Sequence, residues 1–374
     1  MNILISGGAG FIGSDLALKL IEHNHKITVL DNLSPQIHGQ NHNESELFLK
    51  IKDKVNFIHG DVRNSDDWEK ALTNQDAIIH LAAETGTGQS MYEIEKYIDV
   101  NTKGTAIFLD YIANIKTNVK KVIIASSRSI YGEGKYVDSK GAFHYPTVRL
   151  EQSMQNKQFE PEFNGEILKV AATDEDSIIH PISIYGITKQ VQEQLVLNVC
   201  KSIGIAGVAL RFQNVYGPGQ SLTNPYTGIL SVFSNLILNK KEINIFEDGL
   251  ESRDFVYIDD VVESIYLSLI NDNANDKSYN VGTGIATTVN EVATILQKCY
   301  NIDIPTTISG NYRLGDIRHN FADISLIQKD LSWFPKTDIN TGLLNFSKWV
   351  LSQKLPELKY EKSLEEMKEK GMFK

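Results

Sequence analysis

The chain has 374 residues, of which 41% are hydrophobic and 22% charged, so it can bury one large or two moderate cores and lies outside the composition of disordered chains. Its formal net charge of −10 and pI near 5.4 argue against a general binder of nucleic acid or acidic membranes, while leaving room for a local basic pocket around a phosphate. No stretch approaches the ~20 apolar residues of a membrane span. The only two cysteines, Cys200 and Cys299, lie in apolar helix-like runs and read as buried thiols. That usage suits a reducing cytoplasm and provides no cysteine-based zinc site; no metal is expected.

From the N-terminus, NILIS at 2–6 reads as a first strand, which leaves no place for a signal peptide. It runs into GGAGFIGS and then into a helical pattern through Ile12, Leu16 and Leu20. Gly7 permits a tight turn, Gly10, followed by Phe11 and Ile12, lets the backbone approach a pyrophosphate, and Gly13 allows close helix–strand packing. The helix N-terminus then offers free N–H groups to phosphates. A second strand, KITVL at 26–30, delivers Asp31 and Asn32 to the position of a ribose-reading acid. A carboxylate there accepts bonds from both ribose hydroxyls and repels a 2′-phosphate, so NAD is favoured over NADP.

Strand readings follow at 55–62 (with Asp61 and Val62), 77–83 (with Leu81, Ala82 and Ala83), 121–127 and 206–212. Strands that are apolar on both faces and separated by helical patterns imply an α/β protein with a doubly wound parallel sheet of the Rossmann type. Ligands in that architecture bind beyond the carboxyl ends of the strands, so Asp61, the turn 81–83 and Ser126–Ser127 should line one crevice. His80 reads as a packing residue.

SIYGITK at 183–189 sets Tyr185 and Lys189 four positions apart on one helical face, where an ammonium can favour a phenolate. The helix is read from Ile187, Val191, Leu195 and Val199, with Pro181 and Ser183 as start signals. A phenol of free pKa about 10 held in that way becomes a base usable near neutrality.

GGAGFIGS, GDVR (60–63), HLAA (80–83), ASSRSIYG (125–132), YGITK (185–189), LRFQNVYGPG (210–219) and RDFVYIDDVV (253–262) occur in the order of the extended short-chain dehydrogenase/reductase family. The chain resembles that family's sugar-nucleotide epimerase and dehydratase branch over nearly its whole length. The resemblance implies NAD as cofactor, Ser127, Tyr185 and Lys189 as catalytic residues, and Asn101 as a support of the cofactor site. It further implies a smaller C-terminal α/β domain that binds the substrate. We therefore divide the chain into an NAD-binding part, 1–212, and a mainly substrate-binding part, 213–374, some segments of which return to the first. Asn214, Arg253, Arg313 and Asp316 match the family's contacts to the diphosphate and nucleotide, although Leu314 stands where a proline is common after the arginine. Members commonly dimerise through two helices per subunit, and 187–199 with 102–112 could serve.

Within the branch, 4,6-dehydratases need an Asp-Glu acid/base pair directly after the serine or threonine. This chain has Arg128 and Ser129 there, so the resemblance points to C4 epimerisation of a nucleotide-activated sugar through a transient 4-keto intermediate. The loops 84–92 and 214–230 resemble those of dTDP-L-rhamnose 4-epimerases. A UDP-hexose 4-epimerase, a 4-ketoreductase or dehydrogenase, and a non-catalytic NAD-binding scaffold are the alternatives. Thr87, Gln89 and Ser90 either bond sugar hydroxyls or cap a helix starting near Met91. Arg128 either contacts substrate or pairs with Glu84 or Glu133. His319 is a substrate contact or a surface residue. Residues 134–175, polar and aperiodic between Tyr131 and Tyr185, read as an inserted flap, a lid or dimer arm. The run from Pro356 to Lys374 reads as a solvated helix or frayed tail.

Overall fold

The computed structural model describes residues 1–222, 228–354 and 360–374, of which 360–363 and 367 are described by their backbone only. Part of the 214–230 loop, at 223–227, and part of the C-terminal run, at 355–359, lie outside the described residues.

In chain order the main frame comprises β1 (Asn2–Ser6), α1 (Phe11–Glu22), β2 (Lys26–Asp31), β3 (Asn56–His59), α2 (Ser65–Leu72), β4 (Ala77–His80), α3 (Gly104–Asn114), β5 (Lys121–Ser127), α4 (Ile184–Ile203), β6 (Ala206–Phe212), α5 (Ile258–Ile270) and β7 (Lys277–Val281). The strands form one seven-stranded sheet in the order β7-β6-β5-β4-β1-β2-β3, every neighbouring pair parallel. Side chains alternate between the faces of each strand. Ile3 and Ile5 of β1 therefore join α1 and α5 in one apolar cluster, while Leu4 joins α2, α3 and α4 in another. Both faces are covered, which is why these strands are apolar throughout.

The strands read at 55–62 and 77–83 end earlier, at His59 and His80, because the chain leaves the sheet there to build the crevice at its carboxyl edge. The seventh strand, KSYNV, escaped the sequence reading because its polar residues are consumed inside the sheet. Ser278 Oγ donates to Glu193, and the Asn280 N–H donates to Glu175. Helix α4 turns out rotated from that reading. It buries Thr188, Lys189, Gln192, Glu193, Val196 and Cys200, whereas of the apolar stripe Ile187 is 43% exposed and Val191, Leu195 and Val199 are half-buried. Cys299 is only half-buried, unlike Cys200.

The later chain is built of short pieces. Asn214–Tyr216 pairs with Phe255–Tyr257, and Ser252–Arg253 lies between Thr287–Thr288 and His319–Asn320. Both α5 and β7 return to the central frame, and the larger apolar cluster runs without a break from β1 to helix Ile339–Ser352. The C-terminus is strapped down: Tyr312 and Lys374 exchange two backbone hydrogen bonds of 3.0 Å, and the buried Phe373 packs on Phe246 with ring centroids 4.9 Å apart. No helix among the described residues is long and apolar enough to cross a membrane.

The insertion 134–175 has structure of its own. Tyr136–Val137 pairs with Phe143–His144 and with Lys169–Val170, and Met154 and Phe159 pack on Tyr312. It is anchored by buried charge. Arg149 forms a bidentate pair with Glu247 (2.8 and 2.9 Å) and donates to the carbonyl of Asp316, while Glu160 accepts from Arg318 and meets His319. His319, buried and bonded to Ser252 as well, is therefore neither a surface residue nor at the crevice. Glu247 adopts a left-handed φ of 48°, a strained backbone that brings its carboxylate to both arginines. Removing one partner of a buried pair leaves the other charge uncompensated. Arg149→Met should cost about 3–5 kcal/mol of stability, read by urea unfolding, and open 134–175 to trypsin. A loop that only rests on the surface would lose less than ~1 kcal/mol and keep its cleavage pattern.

Candidate active site

The crevice lies at the carboxyl ends of β1, β2, β4, β5 and β6, and its walls include Gly7, Gly10, Phe11, Ile12, Gly13, Asp31, Asn32, Val62, Leu81, Ala82, Ala83, Ser127, Tyr185 and Lys189. Each glycine is needed where it stands. A Cβ on Gly13 would sit 2.5 Å from the Gly7 carbonyl, and one on Gly7, whose φ is +71°, would sit 2.7 Å from the Ala82 nitrogen. The result is a bare backbone cradle at the start of α1, suited to a pyrophosphate.

Asp31 closes the adenosine end. Its carboxylate accepts from the Ala9 and Leu33 N–H groups at 3.0 and 2.9 Å, which aims it, and burial pushes it above the usual carboxylate range. These residues fit a dinucleotide: a side-chain-free cradle for the phosphates, and an acid with lone pairs left for ribose hydroxyls. Asp61 stands at the rim rather than in the wall. Its pair with Arg63 and a bond from Asn32 hold it down at about 2. Asn101 lies beneath the site on a π-helical turn, where it exchanges bonds with the backbone of Glu84 and donates to Thr188 at 3.0 Å. It ties the 84–92 loop to α4 and touches no crevice surface.

The catalytic residues meet at the opposite end. Ser183 caps α4 by accepting from Gly186 N–H, and Ser90 Oγ accepts from the Tyr185 N–H at 3.0 Å. These two bonds fix the first turn of α4 and so the direction of the phenol. Tyr185 and Ser127 line the same wall, and the Ser127 hydroxyl accepts from Ser129. Lys189 lies with its Nζ 5.9 Å from the Tyr185 ring centroid and donates to the Ala125 carbonyl at 2.9 Å. Burial raises the phenol above its ordinary value, and the Ser127 hydroxyl and the positive charge of Arg128 pull it down. Lys189, stripped of water, is itself lowered to about 7.

Arg128 pairs with neither Glu84 nor Glu133. Glu84 is taken by Lys96, and Glu133 by Arg149. The Arg128 Nε instead donates to Asn214 Oδ1 at 2.7 Å, and burial together with the like charge of Arg253 lowers it to about 9. Since guanidinium only donates, this bond turns the NH2 of Asn214 the other way. Arg253 binds Asp316 at 3.1 Å, and Arg253, Arg313, Arg149 and Arg128 all hold Asp316 below the usual carboxylate range against its burial. Asp316 is thus held ionised by four guanidinium groups, one of which, Arg128, directly follows Ser127. Arg313 stacks on Phe246 at 5.1 Å, with its buried Nε unpartnered.

Thr87, Gln89 and Ser90 form a single helical turn that lines no part of the crevice. Gln89 bonds Gln36 and Tyr97, and Ser90 donates to the Thr87 carbonyl, so they cap no later helix and position Tyr185 instead. The sequence reading missed Gln213, which lines the crevice with both amide atoms buried and unpartnered. Its one signal was a polar residue between Phe212 and Asn214. His80 is a packing residue, bonded to Ser6 and Thr105 and held neutral by burial at about 3.

The lowered Lys189 has a measurable consequence. Between pH 7 and 10.5 the unfolded chain binds a proton on this lysine that the folded chain does not, so stability rises with pH across that window. Lys189→Met should remove this slope, and urea unfolding of cofactor-free protein from pH 7 to 9.5 should show the wild type approaching the variant. Parallel curves would mean that the folded lysine titrates normally.

Comparison with known proteins agrees with this geometry. The model of the NAD dependent epimerase/dehydratase family matches residues 3–150 and 163–282. The dTDP-L-rhamnose 4-epimerase of Burkholderia thailandensis is 35% identical over 94% of this chain and 95% of its own. A putative UDP-glucose 4-epimerase of Methanocaldococcus jannaschii is 30% identical over 93% and 98%. Among solved structures, a Bacillus cereus UDP-glucuronic acid 4-epimerase with UDP-glucuronic acid and NAD superposes with a TM-score of 0.77 at 26% identity, covering 94% of this chain and 99% of that one. Cradle, ribose acid and catalytic wall stand in one crevice, and the chain belongs to the NAD-dependent epimerase/dehydratase family, on the side of its nucleotide-sugar 4-epimerases.

Proposed function

We propose that the protein inverts C4 of dTDP-L-rhamnose, giving dTDP-6-deoxy-L-talose through a transient 4-keto sugar. The observation that carries C4 epimerisation is the composition of the catalytic wall: Ser127 and Tyr185 together in the crevice, with a guanidinium at Arg128 where a dehydratase needs a carboxylic acid. Elimination across C5 and C6 has no acid and base there, whereas inversion at C4 needs only a proton acceptor at O4. The choice of sugar rests on the 35% identical relative.

In this reading Gly7, Gly10, Phe11, Ile12, Gly13, Asp31, Asn32, Val62, Leu81, Ala82, Ala83 and Lys189 hold NAD, which when bound supplies the acceptor and donor of a hydride at C4. Tyr185, through Ser127, removes the proton from O4 and later returns it. Asn214, Arg128, Arg253 and Arg313 hold the diphosphate while the sugar turns to present its other face, and Asp316 orients Arg253 for that contact. The adjoining exposed isoleucines Ile187, Ile98 and Ile94, 43%, 47% and 45% open, make a patch for a second copy of the chain, and we assign a cytoplasmic homodimer.

The purified protein, given dTDP-L-rhamnose, UDP-glucose or UDP-N-acetylglucosamine without reductant, should change C4 configuration in the first, as followed by proton NMR. Turnover of UDP-glucose alone would sink the sugar assignment, and a need for stoichiometric NADH would sink epimerisation. Tyr185→Phe should lower kcat by ~10²–10⁴-fold while leaving NAD bound, because only the proton transfer is lost.

A further inference from the structure

We infer that Gln213 reads the sugar itself: its carboxamide takes a ring hydroxyl of the hexose, accepting and donating one hydrogen bond each, and so sets which sugar is accepted. The inference rests on the proposed nucleotide-sugar function. Gln213 is 5% exposed, follows directly on β6 whose last residue Phe212 is in register with Ser127, and lines the crevice. Its backbone is fixed by the N–H bond to the Val281 carbonyl at 2.9 Å. Its side-chain stem is fixed too, since a Cβ on Gly282 would fall 2.6 Å from the Gln213 Cγ, and glycine alone leaves that room. Yet neither amide atom has a partner.

A buried donor and acceptor left unmade destabilise the fold, so such a group persists where something outside the chain completes it. Several polar groups of the same region are committed elsewhere. Asp254 accepts from Thr283, Gly284 and Ala322, Ser126 donates to Glu193, Arg128 holds Asn214, and Lys189 donates to Ala125. A guanidinium or phosphate does not suit a group with one face of each kind; a hydroxyl, which both donates and accepts, does. With the diphosphate site at the next residue and the O4 base across the crevice, the hydroxyls within reach are those of the hexose. A site built to bond a hydroxyl discriminates strongly against sugars that lack it or present it with the other configuration.

The test is Gln213→Leu, nearly isosteric and apolar. By calorimetry in a Tyr185→Phe background, the sugar's share of binding is the ratio of affinities for dTDP-L-rhamnose and for free dTDP; Gln213→Leu should cut that ratio about 10-fold or more. Affinities for NAD and for free dTDP should stay within about twofold of the parent, and the cofactor-free variant should melt no lower, because an orphan amide has been replaced by an apolar group. An unchanged ratio would overturn the inference, as would a loss confined to NAD, which would assign the amide to the nicotinamide, or an equal loss for free dTDP, which would assign it to phosphate. Binding is read without turnover, so failure of the C4 assignment shows separately, as no conversion by the wild type of any sugar nucleotide in the panel.

Discussion

Glu193 is buried where α4 crosses the sheet, and the order of the site depends on its single carboxylate. It accepts from Arg211 at 2.6 Å, from Ser126 and from Ser278, thereby joining α4 to β6, β5 and β7. Arg211 passes the connection on to Tyr131 and to the carbonyl of Glu175, the two ends of the inserted segment. A buried ion pair of this kind adds little net stability over an apolar substitute, but it permits one arrangement only, since every lone pair and proton must be met. Lys189 lies one turn away on the same helix face. The polar face of α4 has to be inward for the chemistry, and Glu193 makes that orientation tolerable.

That rotation marks the boundary of what was legible in the sequence. Glycine turn, ribose acid and strands β1, β5 and β6 were readable because each follows from local rules: φ above zero, a β-branched run, an acid at a strand end. The face of α4 was not, because periodicity reports where apolar residues cluster and assumes they go inward. Here Ile187 faces out while Lys189, Gln192 and Glu193 face in, and only their distant partners on the sheet explain it. Strand β7 was hidden for the same reason.

The site residues divide along a similar line. Those placed by backbone or by a motif's fixed geometry line the crevice as read. Asn101, Thr87, Gln89 and Ser90 did not; their role is to hold the catalytic wall from behind, and hydrogen bonds that span tens of residues of sequence leave no local trace. Arg128 was ambiguous because its available acids, Glu84 and Glu133, are nearby in sequence terms but already paired in space.

The insertion begins shortly after Tyr131 and ends at Glu175, and its middle is ion-paired to Glu247 and Arg318. It is thus a strut between the wall that carries Ser127 and Tyr185 and the segment carrying Asp316 and its arginines. An ordinary apolar interface between two parts of a protein can slide, because dispersion contacts are non-directional. A bidentate pair cannot slide without breaking. The distance between Asp316 with its arginines and the Tyr185 phenol is in this way gauged by covalent chain and paired charge, and whatever binds between them sits inside a frame of fixed span.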